Sequence, residues 1–315
     1  MAKETKKNRR SFQEAKLIEY LAVPAKGKKC YCSCNHCYLL HSQTDRVERS
    51  EEKILEDIGS LARAGYKVFF CTTELFLFDK WQEIFRIAGY KSIRTNGYPF
   101  VNNPSLVDTI VQMGITKVTF TANAGRYHGG LNLPEEKVVK KAIEMSRDRG
   151  LVTSVNVLLN KNNYQDLEEM TQQYMDLGVD YFIFSRILPA NGMHNLLETE
   201  DTKKVYEQVT ELKRKFPLDK TGKYFEVSGE MGSTYRPNRE KTGFYCPAGT
   251  RLLAIGLDNC VYPCSFMTQK EYKLGRLENG KIHLDRTFDL KLTDPFGCFA
   301  HDVKTIKVNS LPSIK

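Results

Sequence analysis

Residues 17–40 read LIEYLAVPAKGKKCYCSCNHCYLL, and their order decides the architecture: an apolar run, a polar loop, then four cysteines. Residues 17–23 have the length and composition of a buried strand. Pro24 to Lys29 breaks the run, and Cys30, Cys32, Cys34 and Cys37 follow within eight residues. Thiols this close do not make a disulfide framework in a reducing compartment, so metal binding is the leading chemistry. Zinc sites commonly pair two knuckles that lie far apart in sequence. Cys30-x3-Cys34-x2-Cys37 instead puts three thiolates on one short wrap, which suits three corners of an iron–sulfur cube and leaves the fourth iron open to a ligand. Cys32 lies off that spacing and reads as a spare thiol.

Downstream, apolar runs alternate with amphipathic stretches, the pattern of βα units around a mostly parallel sheet. Strands are expected at 17–23, 66–74, 91–97, 117–123, 151–159 and 180–186, and helices from about 50, at 79–87, 103–114, 134–150, about 165–177 and about 201–215. In the first helix Ile54, Leu55, Ile58, Leu61 and Ala62 form one apolar face, while Glu51 and Glu52 suit the positive end of the helix dipole. Asn103 is expected as an N-cap with Pro104 in the first turn. Six consecutive pairs fit either a doubly wound sheet or an incomplete barrel, and in both the ligands sit at the carboxyl ends of the strands. Past Phe216, glycine and proline break the helical pattern. The expected division is a basic arm at 1–15, a main domain at 16–216, and a linker with a small domain at 217–315, where 251–257 and 261–263 flank an Asp258-Asn259 turn.

The 315 residues are 41% hydrophobic and 27% charged, which allows one large domain, or one large and one small, and excludes disorder and fibre. No apolar stretch approaches the roughly 18 residues that span a bilayer. The opening MAKETKKNRRSFQEA carries charges where a secretory signal has its apolar core, so the chain is placed in the cytoplasm. The formal charge is +9, but Lys3, Lys6, Lys7, Arg9 and Arg10 crowd into the first ten residues. That reads as a basic arm rather than a nucleic-acid groove, and it leaves an anionic substrate or an acidic carrier protein open.

With the cluster loop and the βα series in place, the chain resembles the radical S-adenosylmethionine superfamily, whose CxxxCxxC loop directly follows the first barrel strand. The likeness runs from about Lys16 to Cys298. It implies a partial (β/α)6 TIM barrel with a small C-terminal Fe-S cluster domain. It also implies a [4Fe-4S] cluster on Cys30, Cys34 and Cys37 bound to S-adenosylmethionine, and a reductant such as flavodoxin or ferredoxin. The family usually has an aromatic residue before the last cysteine; here it is His36. Where a GGE-like segment ends the second strand and receives the cosubstrate's amino group, this chain has Thr72, Thr73 and Glu74, and threonine for glycine narrows the groove. RTNG at 94–97 resembles the family's TNG, which brings in Thr95 and Asn96. The same analogy gives Asn123, Asn156 and Arg186 ribose or carboxylate contacts. The chemistry implied is reductive cleavage of S-adenosylmethionine to a 5′-deoxyadenosyl radical that removes hydrogen from an unactivated C–H bond. The protein's share is to hold the substrate carbon close and keep water out. A barrel of six units leaves a lateral opening for a bulky substrate.

A second cysteine set comprises Cys246, Cys260, Cys264 and Cys298. Residues 244–266, FYCPAGTRLLAIGLDNCVYPCSF, resemble the opening of the SPASM and twitch auxiliary-cluster domains: CxxG, a hydrophobic hairpin, a DG turn, then VYPC. Asn259 takes the glycine position, and asparagine tolerates the left-handed conformation of such a turn. LGRL from Leu274 resembles the family's leucine-glycine-asparagine, with Arg276 for asparagine. Only Cys298 follows where a full SPASM domain supplies a dense run, so the resemblance implies one second [4Fe-4S] cluster on Cys246, Cys264 and Cys298. Cys260 is its fourth ligand or a free thiol, in which case it could give the hydrogen atom that an epimerase needs. Cys71 reads as packed within a strand, and His128 and His301 show no ligand spacing.

The expected substrate is a peptide or a small natural product, and the expected outcome is epimerisation, crosslinking or oxidation. Only about 15 residues precede the first strand, so no peptide-binding extension is expected, which favours a small molecule or a short peptide segment. The alternative from another class is a zinc-stabilised nucleic-acid-binding protein, with Cys30 to Cys37 and Cys246 to Cys298 as structural sites and the basic arm on RNA or DNA. Iron in a brown, oxygen-sensitive protein separates the first reading from zinc in a colourless one.

Overall fold

Strand β1 (Leu17–Leu21) buries Ile18, Tyr20 and Leu21 and gives the sheet its centre. A computed structural model describes residues 17–26, 28–32, 34, 37, 39, 45–122, 133–187, 195–228, 248–289 and 307–310. Helix α1 (Glu51–Arg63) begins where Ser50 accepts a hydrogen bond from the Lys53 amide at 3.2 Å, and it buries Ile54, Ile58 and Leu61. Its Asp57 is buried too, held by the Tyr20 hydroxyl at 2.9 Å and by Lys53 at 3.0 Å.

The next units follow the sequence closely. They are β2 (Lys67–Cys71) with α2 (Trp81–Ala88), β3 (Ser92–Thr95) with α3 (Tyr98–Asn102) and α4 (Ser105–Gln112), β4 (Lys117–Thr121) with α5 (Glu136–Arg147), β5 (Val152–Leu159) with α6 (Leu167–Asp176), and β6 (Tyr181–Arg186) with α7 (Thr199–Lys215). All six expected pairs form. Two details differ. The short α3 fills the unassigned residues between the expected strand and the expected helix, and Asn103 does not cap the α4 backbone, because its Oδ1 instead accepts the Ser105 hydroxyl at 2.7 Å.

After the four-residue α8 (Leu218–Thr221) comes β7 (Tyr224–Val227), a seventh parallel strand that the six-pair reading lacks. Gly222 and Gly229 leave only the six residues 223–228 between them, of which four form the strand, too few to show a pattern. Strands β3-β4-β5-β6-β7 form one wholly parallel sheet in chain order.

Past residue 248 the chain returns to the start. Strand β8 (Leu252–Ile255) lies parallel to β1, with Leu17 opposite Leu252 and Tyr20 opposite Ile255, while β2 flanks β1 on its other side. The hairpin to β9 (Cys260–Tyr262) turns at Asp258 and Asn259, and Asn259 takes the expected left-handed conformation at φ 62°. Strands β10 (Gly275–Glu278) and β11 (Lys281–Leu284) complete a six-stranded sheet, β11-β10-β9-β8-β1-β2. Gly275 has a steric reason: a Cβ there would stand 1.9 Å from the His283 carbonyl oxygen. A separate antiparallel pair joins β12 (Arg286–Asp289) to β13 (Lys307–Ser310).

The two larger sheets meet at β2 and β3, which share no ladder, so the barrel is partial and its wall is not closed. Side chains bridge that seam, among them the edge-on contact of the Phe69 and Tyr90 rings, 5.3 Å apart. Among the described residues no helix is long and apolar enough to cross a membrane.

Candidate active site

Parallel strands of one handedness bring their carboxyl ends to the same side, and the loops that follow converge there. In this chain they enclose a cavity of about 450 Å³. Cys30, Cys32, Cys34 and Cys37 line it, as do Thr72, Thr73, Thr95, Asn96, Asn156 and Arg186. Residues 24–96 thus supply two strand ends and the cysteine loop to one chamber. Asn123, Cys246 and Cys298 lie outside the described residues, as do the arm at 1–15, His36, His128 and His301.

The loop is tied to both strand ends. The Cys30 Sγ lies 3.9 Å from the Thr73 carbonyl oxygen, and Asn96 donates to it from Nδ2 at 3.5 Å. Hydrogen bonding to Cys32 pulls the Cys30 thiol down to about 6 and lowers Cys34 as well. Cys32 moves the opposite way, because its bonds to Cys30 and Cys34 retain its proton. Among the described residues no group of three Cys, His, Asp or Glu side chains is gathered tightly enough to hold a metal ion. The donor chemistry nevertheless fits an iron–sulfur cluster: three partly buried thiols of the CxxxCxxC spacing face one cavity, and two of them are biased toward thiolate.

Behind the wall, Glu74 is 2% exposed, and its Oε2 accepts the Thr95 hydroxyl at 2.9 Å and the Asn96 amide at 3.0 Å. Burial pushes its carboxyl up to about 7. This carboxyl therefore joins the end of β2 to the end of β3, where backbone pairing is missing. Gly97 follows at φ 90° with its amide on the Thr95 hydroxyl at 3.2 Å, and Asn96 Oδ1 accepts the Tyr98 amide at 3.0 Å. Asn96 is thus fixed by local backbone through one atom while its other atom faces the thiol. Asn156 Oδ1 accepts the Ser185 hydroxyl at 2.7 Å, and Arg186, at the end of β6, is 5% exposed.

The C-terminal segment adds to the same wall. Glu19 Oε2 accepts the Ser265 amide at 2.8 Å, and the neighbouring Phe266 lines the cavity. Cys260 sits on the hairpin, with its sulfur 3.7 Å from the Asp258 carbonyl oxygen and its thiol pushed up by burial. Cys260 and Cys264 are both buried, and neither is among the described residues lining the cavity. Sequence reasoning gave no role to Arg94, Lys117 or Tyr90, which also line it. The signal was present: polar side chains recur at every second position in Ser92, Arg94, Asn96 and in Lys117, Thr119, Thr121, the period of one strand face.

No family model matches the chain, and no curated protein matches it. Solved structures do. Streptococcus suis SuiB bound to S-adenosylmethionine superposes with a TM-score of 0.62 at 14% identity, over 82% of this chain and 63% of SuiB. SuiB bound to the precursor peptide SuiA gives 0.62 at 14% identity, over 82% and 62%. The anSMEcpe structure with bound AdoMet and the Kp18Cys peptide gives 0.59 at 16% identity, over 82% and 77%. The chain therefore spans a little under two thirds of the length of SuiB. The partial barrel described above is the fold of these radical S-adenosylmethionine enzymes.

Proposed function

We propose that the chain is a radical S-adenosylmethionine enzyme that abstracts hydrogen from a C–H bond of a peptide or a small natural product. One observation carries this reading: the three thiols of the CxxxCxxC loop and the ends of β2, β3, β5 and β6 open onto one cavity. Of these neighbours of the same fold, two structures were solved with S-adenosylmethionine and two with peptides, which supports a peptide substrate.

Cys30, Cys34 and Cys37 would hold a [4Fe-4S] cluster. When bound, the cluster and S-adenosylmethionine together supply the radical chemistry. The remaining work belongs to the chain. The Thr72 and Thr73 backbone and the Thr95-Asn96 turn would receive the methionine part, with Arg186 opposing its carboxylate and Asn156 and Asn123 toward the ribose. Glu74 would position that turn through its two hydrogen bonds. Leu75, Phe120 and Phe266 give the cavity apolar walls that exclude water. A second [4Fe-4S] cluster on Cys246, Cys264 and Cys298, with Cys260 as fourth ligand, belongs to the same reading, and its alternative for Cys260 is a hydrogen donor in an epimerisation.

Anaerobic loading with iron and sulfide tests the proposal. The chain is expected to bind about four irons at the N-terminal loop and, with dithionite, to release 5′-deoxyadenosine from S-adenosylmethionine. Cys30→Ala, Cys34→Ala and Cys37→Ala in one protein should abolish both. Zinc in place of iron, or unchanged iron in that variant, refutes the assignment.

A further inference from the structure

The interior of a parallel barrel is ordinarily filled by branched aliphatic side chains. Here the inner faces of β3 and β4 present Ser92, Arg94, Lys117, Thr119 and Thr121 to the cavity. The register orders these side chains by depth. Asn96 touches the Cys30 thiol, Arg94 lies one inward step below it opposite Thr119, and Lys117 lies a further step down opposite Ser92. At about 3.3 Å of rise per residue, Arg94 is roughly 7 Å and Lys117 roughly 13 Å below the level of the cysteine loop. The two are diagonal neighbours on adjacent strands, about 7–8 Å apart at the backbone.

Their charged ends lie over aromatic rings: the Arg94 guanidinium is 6.0 Å from the Phe69 ring centre, and the Lys117 ammonium 5.0 Å from that of Tyr181. Such contacts hold a cation without neutralising it. With Arg186 at the mouth, the described lining of the cavity carries three cations and no carboxylate. A cleft of one sign between low-dielectric walls concentrates its field on an opposite charge. A guanidinium and an ammonium that face one chamber from adjacent strands suit the oxygens of a carboxylate or a phosphate lying between them.

We propose that Arg94 and Lys117 form an anion subsite on the cavity floor, which takes a carboxylate or phosphate carried by the substrate and leaves its reacting carbon above, toward Cys30. This inference rests on the cavity being the substrate chamber of the enzyme proposed above. It narrows the substrate class to molecules with an anionic group several bonds from the reacting carbon, such as a peptide reacting near an acidic side chain.

The test uses the full chain, loaded anaerobically with iron and sulfide. Succinate, inorganic phosphate and neutral succinamide are titrated at constant ionic strength, with binding followed by ligand-observed NMR, and S-adenosylmethionine binding is measured on the same samples by equilibrium dialysis. Succinate or phosphate should bind at millimolar concentration, and whichever binds more tightly names the source of the anion. Arg94→Gln and Lys117→Gln should each weaken it at least tenfold, with Arg94→Lys retaining most of the affinity and S-adenosylmethionine binding unchanged. If Arg94→Gln does not fold, Lys117→Gln and Arg94→Lys still decide. Equal binding of succinamide, unchanged affinity in the glutamine variants, or no anion binding by the parent overturns the subsite. Anion binding without any S-adenosylmethionine binding would leave the subsite standing and sink the radical reading; the converse would sink the subsite alone.

Discussion

Replacing Glu74 by glutamine isolates the energetic cost of a carboxyl built into the seam between β2 and β3. The side chain is buried, and burial moves its pKa from an ordinary 4.5 to about 7. The folded chain therefore holds this proton more tightly than the unfolded chain does. Below about pH 4.5 the group is protonated in both states and costs nothing. As pH rises the unfolded chain ionises first, and stability falls until the folded carboxyl ionises as well, near pH 7. At about 1.4 kcal/mol per pH unit, the full penalty is about 3 kcal/mol. Glutamine keeps an acceptor for Thr95 and Asn96 and removes the charge, so its stability should not carry this slope. Any fixed cost of seating the amide shifts the whole curve equally. Urea unfolding of the iron-free chain under reducing conditions, followed by circular dichroism, measures the difference. Between about pH 5 and about pH 8, Glu74→Gln should gain about 2–3 kcal/mol relative to the parent. A gap between the two proteins that stays constant across that range refutes the reasoning.

Two further substitutions probe the frame around the site. Tyr20→Phe removes the hydroxyl that donates to the buried Asp57 at 2.9 Å, and it should cost about 1–3 kcal/mol in urea unfolding; a loss under about 0.5 kcal/mol, the usual scatter of neutral surface changes, would mean that Lys53 alone satisfies the carboxylate. Gly275→Ala places a methyl group 1.9 Å from the His283 carbonyl oxygen, so β10 and β11 must part. Differential scanning calorimetry should show a loss near 3 kcal/mol, about the top of the usual range for overpacking, and an unchanged melting temperature would show that the hairpin yields freely.

Much of the architecture was legible because its elements carry strong local signals. The acidic first turn of Glu51 and Glu52 announced α1, and the apolar spacing of Ile54, Ile58 and Leu61 gave its buried face. The Asp258-Asn259 turn was readable from the type of residue that tolerates positive φ. Strand β7 was not, since a four-residue strand between glycines is stabilised by its neighbour β6 rather than by its own pattern. The parallel pairing of β8 with β1 was equally hidden, because partner choice between distant strands leaves no trace in either one. In the site, the cysteine loop, Thr73 and Asn96 were named from motif resemblance, and the structure brings them within contact. Arg94 and Lys117 were passed over because the motif reading stopped at strand ends, whereas their significance comes from which face of the strand meets the cavity.

The pairing of β1 with both β2 and β8 also orders the chain's assembly in time. During synthesis, β1 and β2 can pair once residue 71 is available, but the far edge of β1 stays open until β8 at Leu252–Ile255 has been made. At about 5–20 residues per second, those roughly 180 residues take about 10–40 s. For that interval a strand that buries Ile18, Tyr20 and Leu21 offers an unpaired edge, the kind that recruits other chains. Strand β8 is therefore the element whose arrival closes this edge and ends the nascent chain's vulnerable period.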